Sequence, residues 1–197
     1  GEIASFNWDD AIFKNPFVQK HNVTLSGGSD KIRYNISGGY WDQDGVVVGS
    51  AYKRYNTRIN IDSDINKYIS FGVNIAAVHG KREDTYNGAV DMMLSTYAAL
   101  PTYAAKLPDG RPVGGAFEFE SHNKNPLTAA EHGGVWDNSY NFNGQAYLRI
   151  KPVKGLTWET TGAMKYDHNY KKQINPSVKE YNYLTGELMG VMNGIGE

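Results

Sequence analysis

The sequence reads KIRYNISGGY over residues 31–40, and apolar and polar side chains alternate along the whole stretch. Successive side chains of a β-strand point to opposite faces of the sheet. The stretch therefore predicts a strand with Ile32 and Ile36 on an apolar face and Arg33 and Asn35 on a polar face.

The same alternation recurs in five further runs of the chain. We predict antiparallel strands, each paired with its sequence neighbour, near residues 20–27, 31–42, 52–63, 67–80, 139–151 and 156–168. A length of about ten residues exceeds that of an average globular strand and matches a tilted strand that crosses a bilayer.

Short and long connections alternate along the chain. Tight turns are predicted at 27–30, 64–67 and 152–155, whereas residues 42–51 and 83–138 form longer connections. Short turns at one rim and long loops at the other are typical of bacterial outer-membrane barrels. We predict an all-β fold, an antiparallel up-and-down transmembrane β-barrel segment. A soluble all-β domain that buries the apolar face remains the alternative.

The composition excludes several classes of function. The chain has 197 residues, no Cys and a net charge of −1. Balanced charge argues against a nucleic-acid partner. The absence of Cys excludes disulfides, thiol catalysis and zinc–thiolate sites. No run of about 18 apolar residues is present, so we expect no transmembrane helix.

No constellation of catalytic residues stands out in the sequence. The five His are scattered without the spacing of metal ligands, and no Ser/His/Asp arrangement is visible. Asp42 and Asp44 suit a polar loop better than a calcium loop, because Lys53 stands where a bidentate Glu is required. We expect no enzyme activity, no metal site and no cofactor.

The long loop at 83–138 is the predicted carrier of function. Residues 89–100 carry apolar side chains at helical spacing and stop at Pro101, which predicts a short helix. We expect this apolar face to pack on the loop itself or on the rim of the sheet. The face consists of Val90, Met93, Leu94, Tyr97 and Leu100.

Ligand-binding candidates come from the same loop. Aromatic rings stack on sugar rings or peptide side chains, and neighbouring amides can hydrogen-bond a ligand. The candidates are Tyr86, Tyr103, Phe117, Phe119, Asn123, Trp136 and Asn138.

Several segments, taken together and in order, resemble one protein family. These segments are residues 7–13, 21–30, 34–40, 44–46, 52–55, 58–62 and, in the long loop, 125–127. They resemble the early barrel of SusC/RagA-type TonB-dependent outer-membrane transporters, most closely from Trp8 to Ile61.

The resemblance implies a function that periodicity does not give. Members of the family are barrels of about 22 strands filled by a plug. They lie in the outer membrane of Gram-negative bacteria, in contact with its lipid. They take up oligosaccharides or peptides with energy relayed by TonB, and a SusD-like surface lipoprotein covers the mouth.

The resemblance implies that the chain is a partial barrel domain, about six strands of a larger plugged barrel. Its predicted parts are a surface loop at 1–18, four strands at 19–82, a long extracellular loop at 83–138, two strands at 139–168 and the start of a further surface loop at 169–197. The plug region that contacts TonB is absent from this chain. No signal peptide is present, so we expect a missing amino-terminal part.

Two functions remain open on the residues alone. One is a segment of a nutrient importer, and the other is a soluble all-β carbohydrate-binding module. The position of the apolar face separates them, because an importer presents it to lipid whereas a soluble module covers it.

Overall fold

The computed structural model describes residues 5–86, 88–114, 125–175 and 177–193. Six antiparallel strands form one sheet in chain order, and a separate hairpin follows it. The strands are β1 (Val18–Gly28), β2 (Ile32–Asp44), β3 (Ala51–Asp64), β4 (Ile69–Asp84), β5 (Gly134–Val153), β6 (Leu156–Ile174), β7 (Ser177–Tyr181) and β8 (Leu188–Asn193). The helices are α1 (Trp8–Ile12), α2 (Gly88–Ala98) and α3 (Pro126–His132).

The up-and-down antiparallel topology confirms the predicted fold class. Each of β1 to β5 pairs with the strand that follows it in the chain. Within the described residues the sheet stays open, with β1 and β6 at its edges. In the same part of the chain, no helix is long and apolar enough to cross a membrane.

All three tight turns lie at one end of the sheet. In the turn between β3 and β4, the Asn66 side-chain oxygen accepts from the backbone N–H groups of Tyr68 and Ile69, at 2.8 and 3.0 Å. In the turn between β5 and β6, Gly155 has a φ of 87°, a value that favours glycine. Helices α2 and α3 belong to the long connection between β4 and β5 at the other end, and α1 precedes β1.

The strands on the long-loop side run farther than the sequence predicts. β5 begins at Gly134 instead of near 139, and β6 ends at Ile174 instead of near 168. Polar pairs such as Asn138 with Lys81 continue the ladder there. Alternation fades where both faces of a strand meet water, so a search for alternation stops too early.

The predicted loop boundaries change accordingly. The connection between β4 and β5 covers 85–133, so Trp136 and Asn138, predicted in the loop, lie in β5. The segment at 1–18 contains α1, and the segment at 169–197 contains the end of β6 and the β7–β8 hairpin.

No described element covers the apolar face of the sheet. Val23 is 74% exposed, and Leu25, Ile36 and Met164 are exposed on the same face. The buried cluster lies elsewhere, where Ile12, Val47, Met92 and Ala129 pack together beyond the long-loop end of the sheet. We call this cluster, with helices α1 to α3, the loop cap. Within the described residues, the apolar face therefore lacks the cover that a soluble module requires.

Helix α2 forms as predicted, but its expected packing is wrong. The five apolar residues predicted to pack are all exposed, Leu94 to 63%, whereas Met92 is 3% exposed. Thr96 is also buried, and its hydroxyl donates to the Met92 carbonyl at 2.7 Å, which satisfies that polar group inside the cap. The helix therefore packs through a different side from the one that the apolar spacing marks.

Candidate functional site

The described loop candidates lie in different surroundings. Tyr86 packs, partly buried, against the cluster of the loop cap. Tyr103 contacts Tyr183 edge-on, with ring centroids 5.5 Å apart. Trp136 and Asn138 lie in β5 on the same face as Tyr140. The remaining candidates, Phe117, Phe119 and Asn123, lie outside the described residues. Ligand binding by any of these residues stays a prediction.

A second candidate surface is the polar face of the sheet. Strand register places a row of side-chain amides directly opposite one another across β2 to β5. This row consists of Asn35, Asn60, Asn74 and Gln145. An open groove of about 530 Å³ runs beside it and is bordered by Arg58 and Lys165. Amides offer both donors and acceptors, so this surface can exchange hydrogen bonds with water or with a polar ligand.

Most charges on the polar face pair with each other near the ends of the strands. Towards the tight turns, Arg149 lies 2.7 Å from Glu159 and Arg33 lies 3.7 Å from Asp64. Towards the loop cap, Arg82 lies 3.1 Å from Asp84. Exposed pairs of this kind contribute little stability, so they mainly set the local charge balance.

Lys20, Arg54 and Arg58 depart from this pattern. Within the described residues, none of the three lies within 4 Å of a carboxylate. All three belong to the polar face of β1 and β3, where the only carboxylates, Asp62 and Asp64, stand at the tight-turn end. The part of β1 and β3 nearer the loop cap therefore carries an excess of positive charge on this face, and we call it the electropositive area.

Trp41 stands in the middle of this electropositive area. The Lys20 ammonium lies 5.7 Å from its ring, and the Tyr52 ring meets it edge-on at 6.1 Å. Arg54 is its direct partner on β3. The predicted site omitted Trp41, although alternation along β2 already places it on the face opposite Tyr40.

The apolar face carries a continuous row of rings near the loop-cap end. One aromatic residue from each strand takes part, and neighbouring ring centroids are 4.4 to 6.4 Å apart. This aromatic row consists of His21, Tyr40, Tyr55, His79, Tyr140 and His168. Amphipathic rings prefer the boundary between lipid and water, so the row is typical of the girdle of a membrane barrel.

Arg111 joins the long loop to the β7–β8 hairpin. Its guanidinium lies 4.4 Å from the Tyr181 ring and donates to the Gly186 carbonyl at 3.3 Å. Its backbone N–H and side chain also donate to Asp109, which holds the pKa of that carboxyl below its ordinary value. The contacts of Arg111 hold the hairpin against the loop.

The described residues hold no group of three or more His, Asp or Glu that could bind a metal ion. The available chemistry on the polar face is therefore hydrogen bonding, charge attraction and ring stacking.

Curated relatives of the chain are TonB-dependent receptors, although no family model matches it. Receptor P39 of Formosa agariphila is 28% identical over 181 residues, which are 92% of this chain and 17% of the relative. SusC of Bacteroides thetaiotaomicron is 28% identical over 107 residues, which are 53% of this chain and 11% of the relative. The chain thus spans less than a fifth of these relatives.

Two solved structures of RagAB share the fold. The RagAB peptide importer in its closed-closed state matches with a TM-score of 0.63 and 22% identity, over 85% of this chain and 19% of that chain. A structure of the RagAB peptide transporter matches with a TM-score of 0.63 and 21% identity, over 93% of this chain and 21% of that chain. The resemblance of this chain to one stretch of the SusC/RagA-type TonB-dependent receptors is thus confirmed.

Proposed function

We propose that the chain forms part of the wall of a TonB-dependent outer-membrane importer. The observation that carries the proposal is that the sheet exposes its apolar face, which a soluble protein would cover. Its apolar face is exposed, with Val23 and Leu25 uncovered, whereas its opposite face carries amides and charged groups. In a membrane barrel the apolar face meets lipid and the polar face lines the interior.

The aromatic row supports the proposed position in the membrane. It lies near the loop-cap end of the apolar face, and below it the strands continue with residues such as Ile36, Val73 and Met164. Rings at one level across all six strands mark one boundary of a lipid layer. Outer-membrane barrels have short turns on the periplasmic side and long loops on the outer side, so in the proposed importer the loop cap lies outside the cell.

The ligands and partners of the whole protein belong to the same proposal. Its cargo is an oligosaccharide or a peptide, and a SusD-like surface lipoprotein covers its mouth. TonB acts through a plug region that is not among these residues. Support comes from similarity to SusC and to the RagAB peptide importer, each much longer than this chain. Tyr103, in the long loop, is kept as a contact for cargo or partner, whereas Trp136 and Asn138, in β5 on the face of Tyr140, are kept as contacts for a partner.

Matched substitutions on the two faces test the proposal. In the full-length protein, Ile36→Arg and Val73→Arg should reduce assembly in the outer membrane, because a charge facing lipid costs about 2 to 4 kcal/mol near the midplane. Asn35→Arg and Asn74→Arg put the same side chain on the polar face and should cost far less. Assembly is measured as folded protein in isolated outer membranes.

Equal tolerance of arginine on both faces would contradict the lipid-facing assignment. Energy-dependent uptake of labelled oligosaccharides and peptides by cells with the full-length protein tests the import step separately. Correct assembly without uptake of either class would support the position in the membrane but contradict the import function.

A further inference from the structure

Two donors at the centre of the electropositive area have no acceptor among the residues that the structure describes. They are the Nε1 atom of Trp41 and the Nε atom of Arg54, and both are shielded from solvent. The two residues are direct neighbours across β2 and β3. Buried donors without acceptors are rare and costly. Because two of them lie side by side here, we expect a ligand to supply the acceptor.

Glycines beside these donors let polar side chains of neighbouring strands lie close to the backbone. Gly80 is the partner of Arg54 on β4, and a side chain there would meet Ser139 and Tyr52. Gly39 lies two residues before Trp41 on the same face, and the amides of Asn22 and Asn56 lean over it. The surroundings of the donors are thus polar, because side chains such as Ser139, Asn22 and Asn56 take the places over the two glycines.

The side chains of the electropositive area act almost entirely as hydrogen-bond donors. Lys20, Arg54 and Trp41 can donate hydrogen bonds but cannot accept them. A carboxylate is an acceptor with four lone-pair positions, and a guanidinium can bind both of its oxygens at once. The rings of Trp41 and Tyr52 add flat apolar area for the body of a ligand.

We propose that Lys20, Trp41, Tyr52 and Arg54 form a subsite for the carboxylate of an imported ligand. The subsite rests on the proposed function, since it requires that the polar face line the import path. The carboxylate can come from the C-terminus of a peptide or from a uronic acid of an oligosaccharide. The shared recognition is an anionic group held by Arg54 and Lys20, with the adjoining unit of the ligand against Trp41.

The test compares charged and neutral probes on the purified full-length protein in detergent. The peptide probes are trialanine and trialanine amide, and the sugar probes are trigalacturonate and the neutral galactotriose. Affinities are measured by isothermal titration calorimetry for the wild type, Arg54→Gln and Trp41→Phe. Arg33→Gln serves as control, because Arg33 is on the same face but pairs with Asp64 at the tight-turn end.

We expect the wild type to bind at least one acid probe about tenfold or more tightly than its neutral counterpart. Arg54→Gln should remove most of that preference and leave binding of the neutral probe unchanged. Trp41→Phe keeps a ring but removes the N–H donor, so it should weaken the acid probe by a smaller factor. Arg33→Gln should behave as the wild type. The preferred acid identifies the source of the carboxylate.

Three results would overturn the subsite: no acid probe binds, acid and neutral probes bind equally, or Arg54→Gln changes both alike. These results differ from failure of the proposed function. That failure would appear as unimpaired assembly of Ile36→Arg or as absent uptake, whereas the subsite fails in an assembled importer whose binding ignores Arg54.

Discussion

At the scale of single residues, Asn125 shows how one amide can hold a loop together. It is 4% exposed, and its oxygen accepts from the backbone N–H groups of Leu127 and Thr128 at the start of α3. Its Nδ2 donates to the carbonyls of Ala105 and Val113, at 2.7 Å each. The side chain therefore caps α3 and fastens it to a distant part of the long loop.

Removing this amide should open the loop cap. Asn125→Ala removes the cap and leaves two carbonyls without their donor, which we expect to cost about 2 to 4 kcal/mol locally. Asn7→Ala is the matched control, since Asn7 caps α1 while exposed and should cost about 1 kcal/mol. Hydrogen exchange of α3 and residues 105–113 in the full-length protein should increase in Asn125→Ala and stay unchanged in Asn7→Ala. Equal protection in the two variants would show that the bonds to Ala105 and Val113 contribute little.

Neither α3 nor a role for Asn125 was predicted from the sequence. An Asn followed by Pro is typical of a helix N-terminus, and this local signal at Asn125 and Pro126 was not used. The carbonyl partners are 20 and 12 residues away, and no periodicity links them to Asn125. The same limit explains why Trp41 was omitted from the predicted site, because its importance arises from Lys20 and Arg54 on neighbouring strands.

At the scale of elements, α2 separates helix formation from helix packing. Its bounds follow from helical spacing and from the Pro101 stop, and the structure confirms a helix there. Its packing depends on its neighbours, since Ile12 of α1 and Ala129 of α3 pack with Met92 while the wider apolar stripe stays exposed. Spacing identifies apolar residues that can share a face, but only the neighbouring elements determine which face is buried.

A pair of substitutions in α2 tests this packing. Met92→Ala should destabilise the loop cap by about 2 kcal/mol, because it leaves a cavity next to Ile12 and Ala129. Leu94→Ala, on the exposed side of the same helix, should change stability by less than about 0.5 kcal/mol. Limited proteolysis of the loop in the full-length protein reports the difference. A larger effect of Leu94→Ala would mean that another part of the protein covers the exposed stripe.

The strands show a similar division between what the sequence does and does not predict. Alternation predicts the faces of all six strands, because a pattern with period two needs no knowledge of neighbours. Register across the longer connections is not readable, so the aromatic row from His21 to His168 could not be predicted. The extra strand length around Trp136 was not predicted for another reason, because the alternation is lost beyond the apolar part of the strand.

At the scale of the whole molecule, the exposed area conflicts with a soluble compact domain. The chain of 21.9 kDa exposes 13008 Å². A compact monomer of this mass exposes about 9,300 Å². The excess agrees with an apolar face that no described element covers and with β1 and β6 at the edges of the sheet.

The isolated 197-residue chain should therefore not form a stable soluble monomer. Soluble monomers rarely expose a large contiguous apolar face, and the free edges of β1 and β6 favour pairing with other chains. We expect aggregation when the chain is expressed without detergent, and recovery of β-structure in detergent micelles. Size-exclusion chromatography with circular dichroism measures both. A monodisperse monomer with a cooperative thermal transition in buffer alone would contradict the lipid-facing assignment and favour the soluble binding module, since only a covered apolar face allows that behaviour.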